Sequence, residues 1–193
     1  MKIPSHSSSS KGFTLIELLV VIAIIAVLAS AGFAVGPAMI NKAKRTSAQA
    51  TAVSIANAVD QFYTEYSALP DPGTNSSDTQ FDTSQSTGVK LLEILAGIEV
   101  TQNPRKIRFL TAKEAKNGKD GIEYGSGGTS ISKLTDPWGQ PYYIRLDYDY
   151  DERMTVSPAN SPASTLNGRR VAVYSLGVDK PAAANSKTLA KTW

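Results

Sequence analysis

The sequence predicts an α+β fold: a long N-terminal helix, membrane-embedded in its first half and amphipathic in its second, packed on a small C-terminal antiparallel sheet of about three strands. Three observations predict it. From Leu18 to Ala29 no side chain is polar, and from Phe13 to Val35 the only ionisable one is Glu17. Farther on, Ala48, Ala52, Ile55, Val59, Phe62 and Tyr66 recur at alternating spacings of four and three, the period of one helix face. Then Tyr142, Ile144, Leu146, Tyr148 and Tyr150 alternate with Tyr143, Arg145, Asp147, Asp149 and Asp151, the period of a strand with one face covered and one in solvent.

The composition limits what such a fold can do. With 193 residues the chain has room for one modest domain beyond an apolar helix. Its 20 basic and 17 acidic residues leave a formal charge of +3, but the charges are dispersed, and nucleic-acid binding needs them clustered on one face. The absence of cysteine excludes disulfides, thiolate metal sites and thiol catalysis. The single histidine is His6, in a short serine-rich opening segment.

Taken in order, residues 1–12 are polar. The segment from Leu18 to Ile40 is long enough to span ~30 Å of hydrocarbon at ~1.5 Å per residue. A carboxylate at membrane depth is costly and by default marks a functional partner, so Glu17 is singled out; the alternative is an acid near the end of a simple anchor, snorkelling to the interface. Gly32, Gly36 and Pro37 weaken the helix and mark a bend. The amphipathic stretch 41–67 ends at Leu69-Pro70-Asp71-Pro72-Gly73, and the polar run Thr74 to Thr87 reads as a surface loop. Val89 to Leu95 is a short helix stopped by Gly97. Ile107 to Leu110 is a strand or extended pass, and Thr111 to Lys116 a helical turn. The glycine-rich run Gly118 to Gly128 lacks the strand, helix and lysine of a phosphate loop. Asp136-Pro137-Trp138-Gly139-Gln140-Pro141 is a turn, after which Arg153 to Ser157 and Arg169 to Leu176 complete the three strands, with Ser157 to Gly168 as a loop.

Gly12-Phe13-Thr14-Leu15-Ile16-Glu17, following a short basic leader and running into the apolar segment, resembles the class III signal of type IV prepilins and type II secretion pseudopilins. The resemblance implies that 1–12 is a leader cut by prepilin peptidase after Gly12 and that Phe13 becomes the methylated amino terminus. It also implies that Glu17 meets such a terminus, on a neighbouring or the same subunit, as subunits join a filament. The chain then divides into the leader 1–12, a transmembrane and assembly helix 13–40 and an exported globular domain 41–193. Basic residues at Lys42, Lys44 and Arg45 outnumber Lys2 and Lys11, so charge alone would orient the helix the other way; the processing signal overrules it and puts the leader in the cytoplasm. Without the leader the charges fall to 18 against 17 and no histidine remains, which excludes a histidine triad or histidine zinc site. The sequence departs from many members in carrying Ala34 where they have a helix proline, with Pro37 one turn later.

Two further stretches narrow the resemblance. Asp136-Pro137-Trp138-Gly139 followed by Tyr142, and Tyr174-Ser175-Leu176-Gly177-Val178-Asp179, are similar to signatures of the major, G-type, pseudopilins of type II secretion. That implies a structural subunit and not an enzyme: a single-pass inner-membrane protein whose C-terminal domain lies in the periplasm. It polymerises with itself and works with prepilin peptidase, other pseudopilins and the inner-membrane secretion platform, with no nucleic acid. The alternative within the resemblance is a type IV pilus subunit for adhesion, motility or DNA uptake. In this subfamily the loop after the second signature often binds calcium. This chain offers Asp179 and no further carboxylate up to Lys187, against the six to eight oxygens calcium takes, so no cofactor is required and Asp179 stands as the calcium candidate. From a different class, a membrane-tethered binding module or hydrolase would use Asp147 and Asp149. Asp147, Asp149 and Asp151 on one strand face could instead hold a cation, but no EF-hand-like glycine and glutamate follow, which favours a solvated acidic face.

Overall fold

A computed structural model describes residues 12–73, 78–125, 127–159, 161–178 and 188–193, with the side chains of 31–37 outside the description. The chain divides into two compact units, Met1–Ile40 and Asn41–Trp193. Helix α1, Leu15–Tyr66, begins in the first and ends in the second.

In the first unit Phe13, Leu15, Ile16 and the large apolar side chains from Leu18 to Leu28 are all exposed. The expected membrane span over 13–40 is not supported: among the described residues no helix is long and apolar enough to cross a membrane. Leu15 to Ser30 supplies 16 described residues, where about 20 are needed, and the continuation at 31–37 lies outside the described side chains. Helix α1 continues through Gly32, Gly36 and Pro37.

The second unit is built on the amphipathic half of α1. Ala48, Ala52, Ile55, Val59 and Phe62 are fully or almost fully buried, as their spacing requires, and Ala58 joins them. Ala52, Ile55, Ala58, Val59 and Phe62 share one core with helix α2 (Ser86–Leu95), whose Leu91, Leu92, Ile94 and Leu95 are also fully buried, and with Phe81, Tyr142, Ile144, Leu146, Val171 and Val173 from the sheet. Each valine, leucine, isoleucine or phenylalanine among them contributes roughly 1.5–3 kcal/mol when taken out of water.

The α+β class and the packing of a helix on antiparallel strands hold, with a larger set of strands than expected. The main sheet has four, in the order β1 (Thr79–Asp82), β4 (Tyr142–Leu146), β7 (Val171–Ser175), β8 (Ala190–Lys191), all antiparallel. Two hairpins stand beside it: β2 (Gly121–Tyr124) with β3 (Ile131–Thr135), and β5 (Arg153–Val156) with β6 (Ser164–Asn167). Part of the expected loop Thr74 to Thr87 is therefore strand β1 and the start of α2, and part of the expected loop Ser157 to Gly168 is strand β6. Thr111 to Lys116 is no helical turn; Glu114 bridges Ile122 instead, and Ala115 N donates to Ile122 O at 2.7 Å. Ile107 to Leu110 is an extended pass, with Phe109 N and Leu110 N both donating to Leu95 O.

Strand β7 explains the second layer. All five of its residues are buried because alternate side chains serve different clusters. Val171 and Val173 point toward α1 and α2, while Ala172 and Tyr174 join Met154, Val156, Leu176 and Leu189, which the β5–β6 hairpin contributes to and covers. A strand covered on both faces reads as continuous apolar sequence, and Val171-Ala172-Val173-Tyr174 does.

Buried polar groups join the parts. Thr83 Oγ1 donates to Leu134 O at 2.7 Å and accepts from Tyr142 N at 2.8 Å, tying β3 to the start of β4. Asn103, fully buried, donates to Ile94 O and Ile107 O and accepts from Ile107 N and the Tyr66 hydroxyl, so one amide fastens the ends of α1 and α2 to the chain that follows.

Candidate functional site

Gly12 and Phe13 precede the helix, and Phe13 is 80 % exposed. Thr14 caps it. Its backbone carbonyl accepts from Leu18 N, and its hydroxyl oxygen accepts from Glu17 N at 3.3 Å. Glu17 returns the contact: Oε2 accepts from Thr14 N at 2.8 Å and from the Thr14 hydroxyl at 2.7 Å. This is a capping box, which satisfies backbone donors that a helix start otherwise leaves open and sets an acid at the positive end of the helix dipole. The acid is thus held folded back over the Thr14 backbone, one residue from Phe13. Thr14 was not among the expected site residues, although Thr-x-x-Glu before an apolar run is the sequence signal for it.

The two C-terminal signatures meet in space. Asp136 is fully buried at the Pro137–Gln140 turn, where Oδ1 accepts from Trp138 N and Gln140 N, each at 2.8 Å. Gly139, at φ 93°, donates its N–H to Asp136 O, a conformation that L side chains rarely adopt. The second carboxylate oxygen, Oδ2, accepts from the hydroxyl of Ser175, whose Oγ also accepts from Gly177 N at 3.2 Å. Burial pushes the Asp136 carboxyl up, against the pull of the Ser175 hydroxyl and the turn's N–H groups. Its role is to hold the turn against the end of β7.

The acids after β4 do not lie along one strand face. β4 stops at Leu146, and the chain turns through Tyr150 and Glu152, both at positive φ. Asp151 Oδ1 accepts from Arg153 N at 2.7 Å and is spent on the turn. Asp147, 1 % exposed, accepts from Glu152 N through Oδ2 at 3.0 Å. Burial, then the neighbouring Asp149 carboxyl, push Asp147 up to about 6. Asp149 and Asp147 come together with Asp78, a residue the sequence did not flag because it lies before β1. Asp179, the calcium candidate, lies outside the described residues, as does the leader with Lys2, His6 and Lys11.

Residues 7–33 match the family model described as the prokaryotic N-terminal methylation motif. No curated protein and no solved structure matches the chain. The motif supports a type IV pilin-like family, whose precursors are cut by prepilin peptidase and N-methylated. Such families supply structural subunits of membrane-anchored extracellular or periplasmic filaments, and are not enzymes.

Proposed function

We propose that this chain is the major subunit of a type II secretion pseudopilus. In this reading prepilin peptidase cuts after Gly12, Phe13 is methylated, and the helix over 13–40 holds the subunit in the inner membrane with residues 41–193 in the periplasm. Subunits leave the bilayer by exchanging lipid contact for contact between their exposed apolar helices, and Glu17 sets the register by pairing with a Phe13 amino terminus. A desolvated carboxylate is tolerated when it is paired, which makes the pair a check on correct seating. The filament, extended by a cytoplasmic ATPase with the other pseudopilins and the inner-membrane platform, moves folded proteins outward.

The observation that carries the secretion branch is the Asp136–Ser175 hydrogen bond. The two stretches that resemble the major pseudopilins are far apart in sequence, and each supplies one partner of a buried contact, so they act as one device. The test is a chromosomal deletion scored for exoprotein release and for surface fibres, with intact-mass analysis of the membrane-extracted wild-type protein. Loss of secretion with fibres retained, and a mature chain beginning at methylated Phe13, are expected. Normal secretion with lost fibres would refute the assignment in favour of a pilus subunit, and a chain beginning at Met1 would remove the processing on which both depend.

A further inference from the structure

Antiparallel pairing of β1 with β4 sets Thr79 opposite Leu146, so the next residues beyond the ladder, Asp78 and Asp147, face each other. Asp149, two residues on, turns back toward them. Carboxylate oxygens of the three lie within 4.8 Å of one another. Acidic groups gather at many protein surfaces without consequence, but this one is partly internal. Asp147 is 1 % exposed and its Oδ1 receives no hydrogen bond; Asp78 Oδ1 is likewise buried without a donor. A carboxylate oxygen removed from water and given no donor carries its full desolvation penalty.

The protein's own cation does not resolve this. Among the described residues the ion pair in the cluster is Arg145 Nη2 with Asp78 Oδ2, at 3.8 Å, too long for a hydrogen bond, and Arg145 Nε is itself buried without an acceptor. One guanidinium faces three carboxylates, and Asp151 adds to the negative field at Asp78. What is missing is a compact positive charge that can accept several oxygen ligands at once.

We propose that Asp78, Asp147 and Asp149 form a calcium site that clasps the start of β1 to the loop after β4. The donor set is all oxygen, which selects a hard cation. Calcium takes oxygens at ~2.3–2.6 Å in a flexible geometry, whereas magnesium demands a near-ideal octahedron at ~2.0–2.1 Å and keeps most of its waters, so a cluster of three carboxylates from a strand end and a loop suits calcium better. Water and backbone carbonyls complete the six to eight ligands. The ion would neutralise both donorless oxygens and fasten two segments that are distant in sequence.

The test uses the full-length protein in detergent, stripped with chelator and titrated with calcium alone or magnesium alone by equilibrium dialysis, with thermal unfolding in parallel. Binding in the ~0.1–1 mM class of extracellular calcium modules is expected, with a melting temperature that rises with calcium. Asp78→Asn and Asp149→Asn should each weaken binding ~10-fold or more. Asp149 is exposed, so its variant keeps the test informative even where Asp147→Asn does not fold. Absence of calcium binding by the wild type, equal preference for magnesium, or unchanged calcium binding in both variants would each overturn the proposal, the last by locating any bound ion elsewhere.

Discussion

Gly88 offers a sharp test of how α2 is seated. It is the third residue of that helix, and helix propensity alone says that Gly88→Ala should stabilise the protein by about 1 kcal/mol. The structure says otherwise. A Cβ at Gly88 would stand 2.0 Å from Asp82 O, 2.5 Å from Asp82 C and 3.0 Å from Thr83 N. These are backbone atoms with little freedom, since Asp82 O already accepts from Gln85 N at 3.0 Å and Thr83 N donates to Tyr142 O at 3.0 Å. Relief requires α2 to withdraw from β1 by more than an ångström, and its four fully buried leucine and isoleucine side chains would move with it. Overpacking against a fixed wall costs about 3 kcal/mol at the upper end of the usual range, so after the propensity gain the net loss is about 2 kcal/mol. For a domain of this size that lowers the melting temperature by roughly 4–8 °C. Circular dichroism of the purified full-length protein on heating measures it, and an alanine variant as stable as the wild type would refute the close seating of α2 on β1.

Two further outcomes are expected. Glu17→Gln keeps the groups that make the capping box but removes the charge, whereas Thr14→Ala removes the hydroxyl of the cap and keeps the charge. On the register reading, Glu17→Gln is processed normally and yields no sedimentable filaments while Thr14→Ala yields them, and filaments at wild-type level from Glu17→Gln would show that capping is the residue's whole role. In chelator, Asp147 gives a pH signature. Its folded value of about 6 lies above the ordinary 3.8, so the folded state holds the proton more tightly, and this group's stabilisation is present below about pH 4 and lost as pH rises through about 6. The melting temperature of the wild type relative to Asp147→Asn should therefore fall between those limits, and a flat difference across them would be contrary to the buried, donor-poor setting described above.

The parts of the fold legible in the sequence are those where one residue period serves one neighbour. The stripe from Ala52 to Phe62 meets a single core, and Tyr142, Ile144 and Leu146 are buried in alternation, so both are legible directly. β1 was not, because it is an edge strand with one core side chain, Phe81, among Thr79, Gln80 and Asp82. β8 is only two residues long, and β6 carries one apolar side chain, Leu166, among Ser164, Thr165 and Asn167. The alternation continuing to Asp151 was misleading for a different reason: the chain leaves the sheet at Leu146, where a buried carboxylate closes a turn that mimics strand spacing. The acidic triad was half legible. Asp147 and Asp149 stood out, but Asp78 joins them only through the β1–β4 register, which no local pattern encodes.

The double coverage of β7 has a consequence for when the domain can form. Both apolar layers draw on this strand, and it pairs with β4 on one side and with β8 on the other. A chain made from its N-terminus onward therefore cannot close either layer until Val171–Ser175 has emerged, and pairing across such separations is slow. Until then the stripe on α1 has no complete surface to bury against. Pairing of β7 is thus the step on which closure of both layers depends, and β8 completes the sheet along its other edge.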